Sequence, residues 1–196
     1  MPQPELKTYY AKNREVWRKW LENNHAKSPG IWLIYYKAKT NKPRVAYDEA
    51  VEEALCFGWI DSTMRPIDDE KYMQRFTPRN VKSVWSALNK KRIAKLIKER
   101  LITDAGLEKI KVAKKNGSWS SIDHVENLTI PEDFQKALNK NKTALKNFNN
   151  FARFTKKQFL YRINNAKRAE TRAEKIRQAV LMAAANNKPG VQGFKV

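Results

Sequence analysis

The residues best equipped for chemistry lie close together in the sequence. Cys56 and Asp61 flank Phe57-Gly-Trp-Ile60; Arg75, Thr77 and Arg79 follow in Gln74-Arg-Phe-Thr-Pro-Arg79, and Trp85 in Ser83-Val-Trp-Ser86. An aspartate at the start of a strand can hook a ligand, act as a general base, or cap neighbouring backbone N–H groups. Pairing about Asp69 would set residues 61 to 64 against 77 to 74, which puts Asp61, Thr63, Arg75 and Thr77 on one face. A carboxylate, hydroxyls and a guanidinium on one surface form a polar pocket wall or a solvated sheet face. Trp32, Tyr36, Trp59, Trp85 and Trp119 are packing residues or a platform; beside Arg75 and Arg79 they suit a planar or anionic ligand. Buried indole N–H groups need partners, and Asp61 is one candidate. The ligand-binding set predicted on these grounds is Trp32, Tyr36, Trp59, Asp61, Arg75, Thr77, Arg79 and Trp85.

Catalytic chemistry is poorly served by the same residues. A thiol nucleophile needs a base or another device that lowers its pKa, and the C-terminus of a helix favours cations over a thiolate, so Cys56 reads as an inert core residue. His25 follows Asn-Asn at a helix end and His124 lies in a linker; with one cysteine they show no zinc-ligand spacing, and neither a structural metal nor a cofactor is predicted. No catalytic residue is assigned, and whether the chain is an enzyme is left open with the balance towards binding. A lone cysteine makes no internal disulfide, which fits a reducing compartment or an indifference to redox.

Charge is distributed unevenly. The formal net charge is +20; residues 1–80 hold 14 Lys/Arg against 11 Asp/Glu, whereas residues 81–196 hold 26 against 9. Residues 134–196 alone hold 15 basic against 2 acidic side chains. Such a half is either a solubilising surface or a partner for nucleic acid, a phosphorylated ligand or an acidic membrane. The predicted polyanion-binding residues are Arg153, Lys156, Lys157, Arg162, Lys167, Arg168 and Arg172, with Lys175 and Arg177 beyond. No zinc finger, RNP aromatic pair or suitably placed GxxG loop accompanies them, so the signal is for charge and not for base sequence.

The elements that must position these residues can be read from periodicity. Val16, Trp17, Trp20 and Leu21 predict a helix over 13–24, and the β-branched, aromatic run Ile31–Tyr36 predicts a buried strand. Ala50, Val51, Ala54 and Leu55 stripe a helix from Tyr47 to Phe57, with Glu49, Glu52 and Glu53 off the stripe, Asp48 as N-cap and Gly58 just past its end. A hairpin follows, Ile60–Ile67 and Lys71–Thr77 about an acidic turn. Ser83 would cap a helix to Arg100 with Leu88, Ile93, Leu96 and Ile97 inward, and Thr103 one to Lys115 closed by Asn116-Gly117. The fold class is α+β: a small, mostly antiparallel sheet packed with helices over residues 1–118, a linker at 119–130, a basic helical subdomain at 131–187 and a mobile tail at 188–196. In the subdomain Phe148, Phe151 and Phe154 lie three apart. Apolar steps of three and four run from Phe159 through Ala166, Ala169 and Ala173 to Ala183, as one helix or as two broken near Asn164-Asn165. No apolar leader and no run near 20 apolar residues is seen, which predicts a cytoplasmic protein without a transmembrane segment.

At these residues the chain resembles the YdeI/OmpD-associated family, often labelled bacteriocin-protection proteins. The resemblance runs almost end to end. It rests on Gly30-Ile-Trp-Leu33, Tyr47-Asp-Glu-Ala-Val-Glu-Glu-Ala-Leu-Cys-Phe-Gly-Trp-Ile-Asp-Ser62, Gln74–Arg79, Ser83–Ser86, Ala105-Gly106, Ala113-Lys114, Gly117 and Ala166-Lys-Arg-Ala-Glu-Thr-Arg172 with Ile176. It implies a resistance phenotype and no catalytic assignment. It also implies a periplasmic, outer-membrane-linked role, against which the sequence itself sets the lack of a leader. At +20 the chain would repel cationic antimicrobial peptides, so protection would be indirect. The function expected is that of a non-enzymatic stress or antimicrobial-resistance factor binding an anionic partner, nucleic acid or a phosphorylated ligand. The alternatives are a small-molecule or enzymatic site around Trp59, Asp61, Arg75 and Trp85, and a helical module that docks a protein through an exposed apolar patch on 134–187. Oligomeric state is not legible.

Overall fold

The computed structural model describes residues 6–190 of the 196-residue chain. Two compact units divide between Ser120 and Ser121. In the first, strands Thr8–Tyr10 (β1), Ile31–Tyr36 (β2), Trp59–Pro66 (β3) and Lys71–Pro78 (β4) form a sheet in the order β1-β2-β4-β3. β1 runs parallel to β2 and the other pairs are antiparallel. The three-residue β1 carries no periodic signal of its own, and its strand state comes from pairing along β2. In β2 the side chains alternate: Ile31, Leu33 and Tyr35 are buried, and Trp32, Ile34 and Tyr36 are half-exposed. The run predicted as a buried strand therefore has one buried face and one open face.

Helices Arg14–Asn24 (α1) and Tyr47–Cys56 (α2) cover the buried face. Asn13 caps α1 by accepting from Val16 N at 3.0 Å, and Trp17 reaches Phe76 of β4 with ring centroids 5.3 Å apart. α2 is not capped by Asp48. Its N-cap is Ala46, whose N–H donates to the Glu49 carboxylate, leaving Asp48 in the first turn to pair with Arg92. Past the end of α2, Gly58 has φ +71, a conformation that a side chain would strain.

Ala87–Lys98 (α3) begins later than the Ser83 reading, because Ser86 supplies the cap to Asn89 N at 3.2 Å. Its inward stripe is Asn89, Ile93 and Leu96, while Leu88 and Ile97 fall off that stripe and are exposed. Asp104–Lys115 (α4) follows Thr103 and ends at Asn116-Gly117 as the sequence predicts. Gly106 lets α4 meet the end of α2: a Cβ there would sit 2.4 Å from the Cys56 carbonyl oxygen.

The second unit is helical. Asp123–Glu126 (α5) and the buried Val125 lie inside the stretch 119–130 that the sequence suggests as a linker, so much of that stretch is core-forming structure. Glu132–Asn139 (α6), Lys142–Asn150 (α7), Arg153–Asn164 (α8) and Ala169–Ala184 (α9) surround Phe134, Phe148, Phe151 and Phe159. Phe151 is extended between α7 and α8, so the three-residue spacing is broken and Phe154 is 72% exposed. The chain takes the two-helix option near Asn164-Asn165, which leaves Ala169 and Ala173 on the surface. The last six residues of the predicted tail, 191–196, lie outside the described residues. Among the described residues no helix is long and apolar enough to cross a membrane.

Candidate functional site

The hairpin that carries Asp61 has a register the sequence does not show. Met64 pairs with Gln74, consistent with a turn about Asp69, but Ile60 pairs with Thr77 and Asp61 with Phe76, with the shift between Asp61 and Met64. One extra residue in β3 turns every side chain before it to the other face. Asp61 therefore shares the helix-covered side with Gln74 and Phe76, while Arg75 and Thr77 point to the opposite side. The predicted face of Asp61, Thr63, Arg75 and Thr77 is not formed.

On the helix-covered side Asp61 is engaged within the fold. Its Oδ2 accepts from the Tyr47 hydroxyl at 2.7 Å and from Gln74 Nε2 at 3.4 Å; the same amide donates to Ser62 O at 2.8 Å. Burial, and then the hydrogen bond to Asp61, raises the Tyr47 pKa, so this phenol is a donor and not a base at neutral pH. Burial likewise raises the pKa of the neighbouring Tyr35. Arg79 is 2% exposed, stacks on Trp85 with its guanidinium carbon 3.5 Å from a ring centroid, and donates from Nη2 to Val84 O at 2.7 Å. Burial pushes its pKa down to about 10 while the charge of Asp61 pulls it up, so it stays a cation at neutral pH. Trp59 and Trp85 are core residues, and the Trp59 indole donates to His25 O at 3.1 Å, not to Asp61. A cavity of about 410 Å³ touches Trp59, Gly58, Pro78 and Lys109, but Asp61, Arg75, Arg79 and Trp85 do not line it.

Two further groups, both on α2, are structural. Glu53, which the helical wheel places off the apolar stripe, is buried and accepts from Arg14 Nε at 2.6 Å and Arg18 Nη1 at 2.8 Å. The pair Arg14 and Arg18, four apart on α1, was the sequence signal for it. Cys56 is buried; desolvation first, and then the charge of Glu53, pushes its thiol up to about 11 although Arg18 opposes the shift. It is no thiolate at neutral pH.

The open face of the sheet gathers the rest of the predicted set. Register places Trp32 opposite Arg75 and Ile34 opposite Met73, and Met73 opposite Arg65, so Trp32, Tyr36, Arg65, Arg75 and Thr77 share this face. Arg65 lies 4.9 Å over the Trp32 ring, and Tyr10 meets Tyr36 edge-on at 5.4 Å. Lys42 sits 4.7 Å over Tyr36 and pairs with Glu70 at 2.8 Å. Sequence reasoning missed Tyr10, Lys42 and Arg65. The alternation of β2 was the available signal, since it separates Trp32 and Tyr36 from the core positions.

In the second unit many predicted cations are tied down. Arg153 donates to Glu126 O, Lys156 to Asn149 O at 2.8 Å, Arg162 to Gly190 O, and Lys157 pairs with Glu126. Arg172 forks onto Asp133 at 2.6 and 3.0 Å and also donates to Ile163 O at 3.1 Å. Lys175 donates to Arg162 O at 3.1 Å and Arg177 pairs with Glu174. Lys167 and Arg168, between α8 and α9, are exposed. The same unit carries an apolar groove of about 540 Å³ beside the exposed Phe154 and Tyr161.

Comparison with known proteins divides the chain much as the fold does. Residues 9–109 match the family described as a domain of unknown function (DUF8412), and residues 127–186 match the family described as bacteriocin-protection, YdeI or OmpD-associated. The resemblance to the second family is thus met within the second unit, and the motifs from Gly30 to Gly106 fall under the first. No curated protein and no solved structure matches the chain.

Proposed function

We propose, from the premise that the chain belongs to the family described as a domain of unknown function (DUF8412), that it is a non-enzymatic stress or resistance factor acting by binding an anionic polymer, with nucleic acid as the class. The observation that carries this reading is the fate of the carboxylates in the second unit. Glu126, Glu132, Asp133 and Glu174 are each held by a cation of the same unit, while Lys140, Lys142, Lys146, Lys167 and Arg168 stand exposed with no carboxylate within ion-pair distance among the described residues. Unneutralised cations release counterions when they meet phosphates, which supplies affinity without sequence preference. The single buried Cys56 fits a reducing compartment, and we place the protein in the cytoplasm. Protection of the cell, as the name of the second family suggests, would then run through the bound polymer and not through capture of a cationic peptide.

The test is a salt series with labelled oligonucleotides and the intact chain. Affinity should fall by orders of magnitude between about 50 and 200 mM salt. Replacing Lys140, Lys142 and Lys146 together by Gln should lower the log–log slope by roughly 0.9 for each duplex phosphate left unneutralised. Absence of binding at the lowest salt, or a slope near zero, would overturn the reading.

A further inference from the structure

The open face of the sheet differs from the other basic surfaces in holding aromatic rings as well as cations. Trp32 stands at its centre, half-exposed, with Arg75 directly across the β2–β4 ladder and Arg65 over its ring at 4.9 Å. Among the described residues neither arginine has a carboxylate partner, and Arg75 Nε is unpartnered altogether. Towards the hairpin tip the cations are already neutralised, since Lys42 pairs with Glu70 and Lys71 with Asp68. No acidic side chain occupies an outward register position on any of the four described strands, because the shift in β3 turns Asp61 to the covered side.

Tyr36 lies four residues from Trp32 on the same face, roughly 13 Å away at ~3.3 Å per residue, with Tyr10 packed edge-on against it. Two platforms so far apart cannot share one stacked pair of bases, but they can hold separate bases of an extended strand. A duplex keeps its bases stacked inside and offers such rings nothing. Single strands present bases to aromatic side chains and phosphates to arginines together.

We infer that this face binds single-stranded nucleic acid, with bases stacking on Trp32 and Tyr36 and phosphates held by Arg65 and Arg75. The inference rests on the anionic-polymer reading above and adds a site and a form of the polymer. In the resting fold Arg65 shields Trp32, and a phosphate draws it aside so that a base can take its place or stack on the guanidinium plane.

The experiment titrates the intact chain with a labelled oligo-dT, the corresponding duplex, and heparin as a polyanion without bases. Trp32→Ala should weaken oligo-dT binding about tenfold with the salt slope unchanged, as removal of one stacking platform predicts. Duplex and heparin binding should stay as they were, and Trp32→Phe should restore most of the affinity. Arg65→Gln with Arg75→Gln should reduce the single-strand slope by roughly 0.7 for each phosphate left unneutralised. Equal losses for all three polymers, or no loss in a Trp32→Ala protein with unaltered circular dichroism, would overturn the inference while leaving the anionic-polymer reading standing. Failure of all three to bind the wild-type chain would overturn both.

Discussion

The C-terminal helices and the open face of the sheet are both basic, yet they use their charge differently. The helices hold far more of it, and much of that excess serves the fold. Arg153, Lys156, Arg162 and Lys175 satisfy backbone carbonyls, and Lys157 and Arg172 answer carboxylates. The sheet face holds few cations, but Arg65 and Arg75 are set beside a tryptophan and away from any carboxylate among the described residues. Net charge thus measures long-range attraction, while the neighbours of each cation decide where a ligand can be held.

The sharpest way to break this comparison is to attack a charge whose role is purely structural. Glu53→Gln removes the buried carboxylate that Arg14 and Arg18 share. Breaking a buried pair from one side costs about 3–5 kcal/mol, and the partly exposed arginines place this case near 3 kcal/mol. Urea unfolding followed by tryptophan fluorescence should show that destabilisation, with oligonucleotide affinity unchanged while the protein is folded. A change in affinity at intact fold would mean that the covered side contributes to binding.

A smaller effect separates the two kinds of cation within the second unit. Arg172→Ala should cost about 1 kcal/mol, because its fork onto Asp133 is partly solvent-exposed and screened, and should leave the salt slope of binding alone. Lys167→Ala with Arg168→Ala should do the reverse: stability within about 0.5 kcal/mol of wild type, and a slope reduced by roughly 0.9 for each duplex phosphate left unneutralised. If Arg172 moved the slope and the other pair did not, the division between structural and available cations would collapse.

Much of the segment from Tyr47 to Asp61 was legible because its physics is local. Helical period, the switch to alternation after Gly58, and the acidic turn fix α2, β3 and β4 within a residue or two. Gly58 and Gly106 also repay a sequence reader, since one has a positive φ and the other has a carbonyl where a Cβ would go. The shift between Asp61 and Met64 was not legible. Ser62 and Thr63 carry no glycine or proline to mark a bulge, yet that one residue moves Asp61 away from Arg75 and divides the predicted site. The Glu53 ion cluster and the tethering of Arg153, Lys156 and Arg162 escaped for a different reason. They depend on which carbonyl or guanidinium another element brings near, and periodicity within one helix does not encode that.

The smallest effect expected is a pH dependence confined to the Asp133–Arg172 pair. The hydrogen bonds from Arg172 are the main reason that the Asp133 pKa is lowered; burial opposes them, and the backbone N–H of Phe134 adds to them. A carboxyl group whose folded pKa lies below its unfolded value, about 3.9 for aspartate, stabilises the fold fully above that value. The contribution fades as pH falls through the lower, folded pKa. Asp133 is exposed and Arg172 partly so, and solvent screening keeps it below about 1 kcal/mol. Urea midpoints followed by helical circular dichroism should therefore differ between wild type and Asp133→Asn near neutrality and converge in acid. Asparagine at this position can still accept from Phe134 N, which isolates the charge. A difference that persisted unchanged into acid would mean that Asp133 acts through packing at the start of α6, and that Arg172 belongs with the cations free to meet a phosphate.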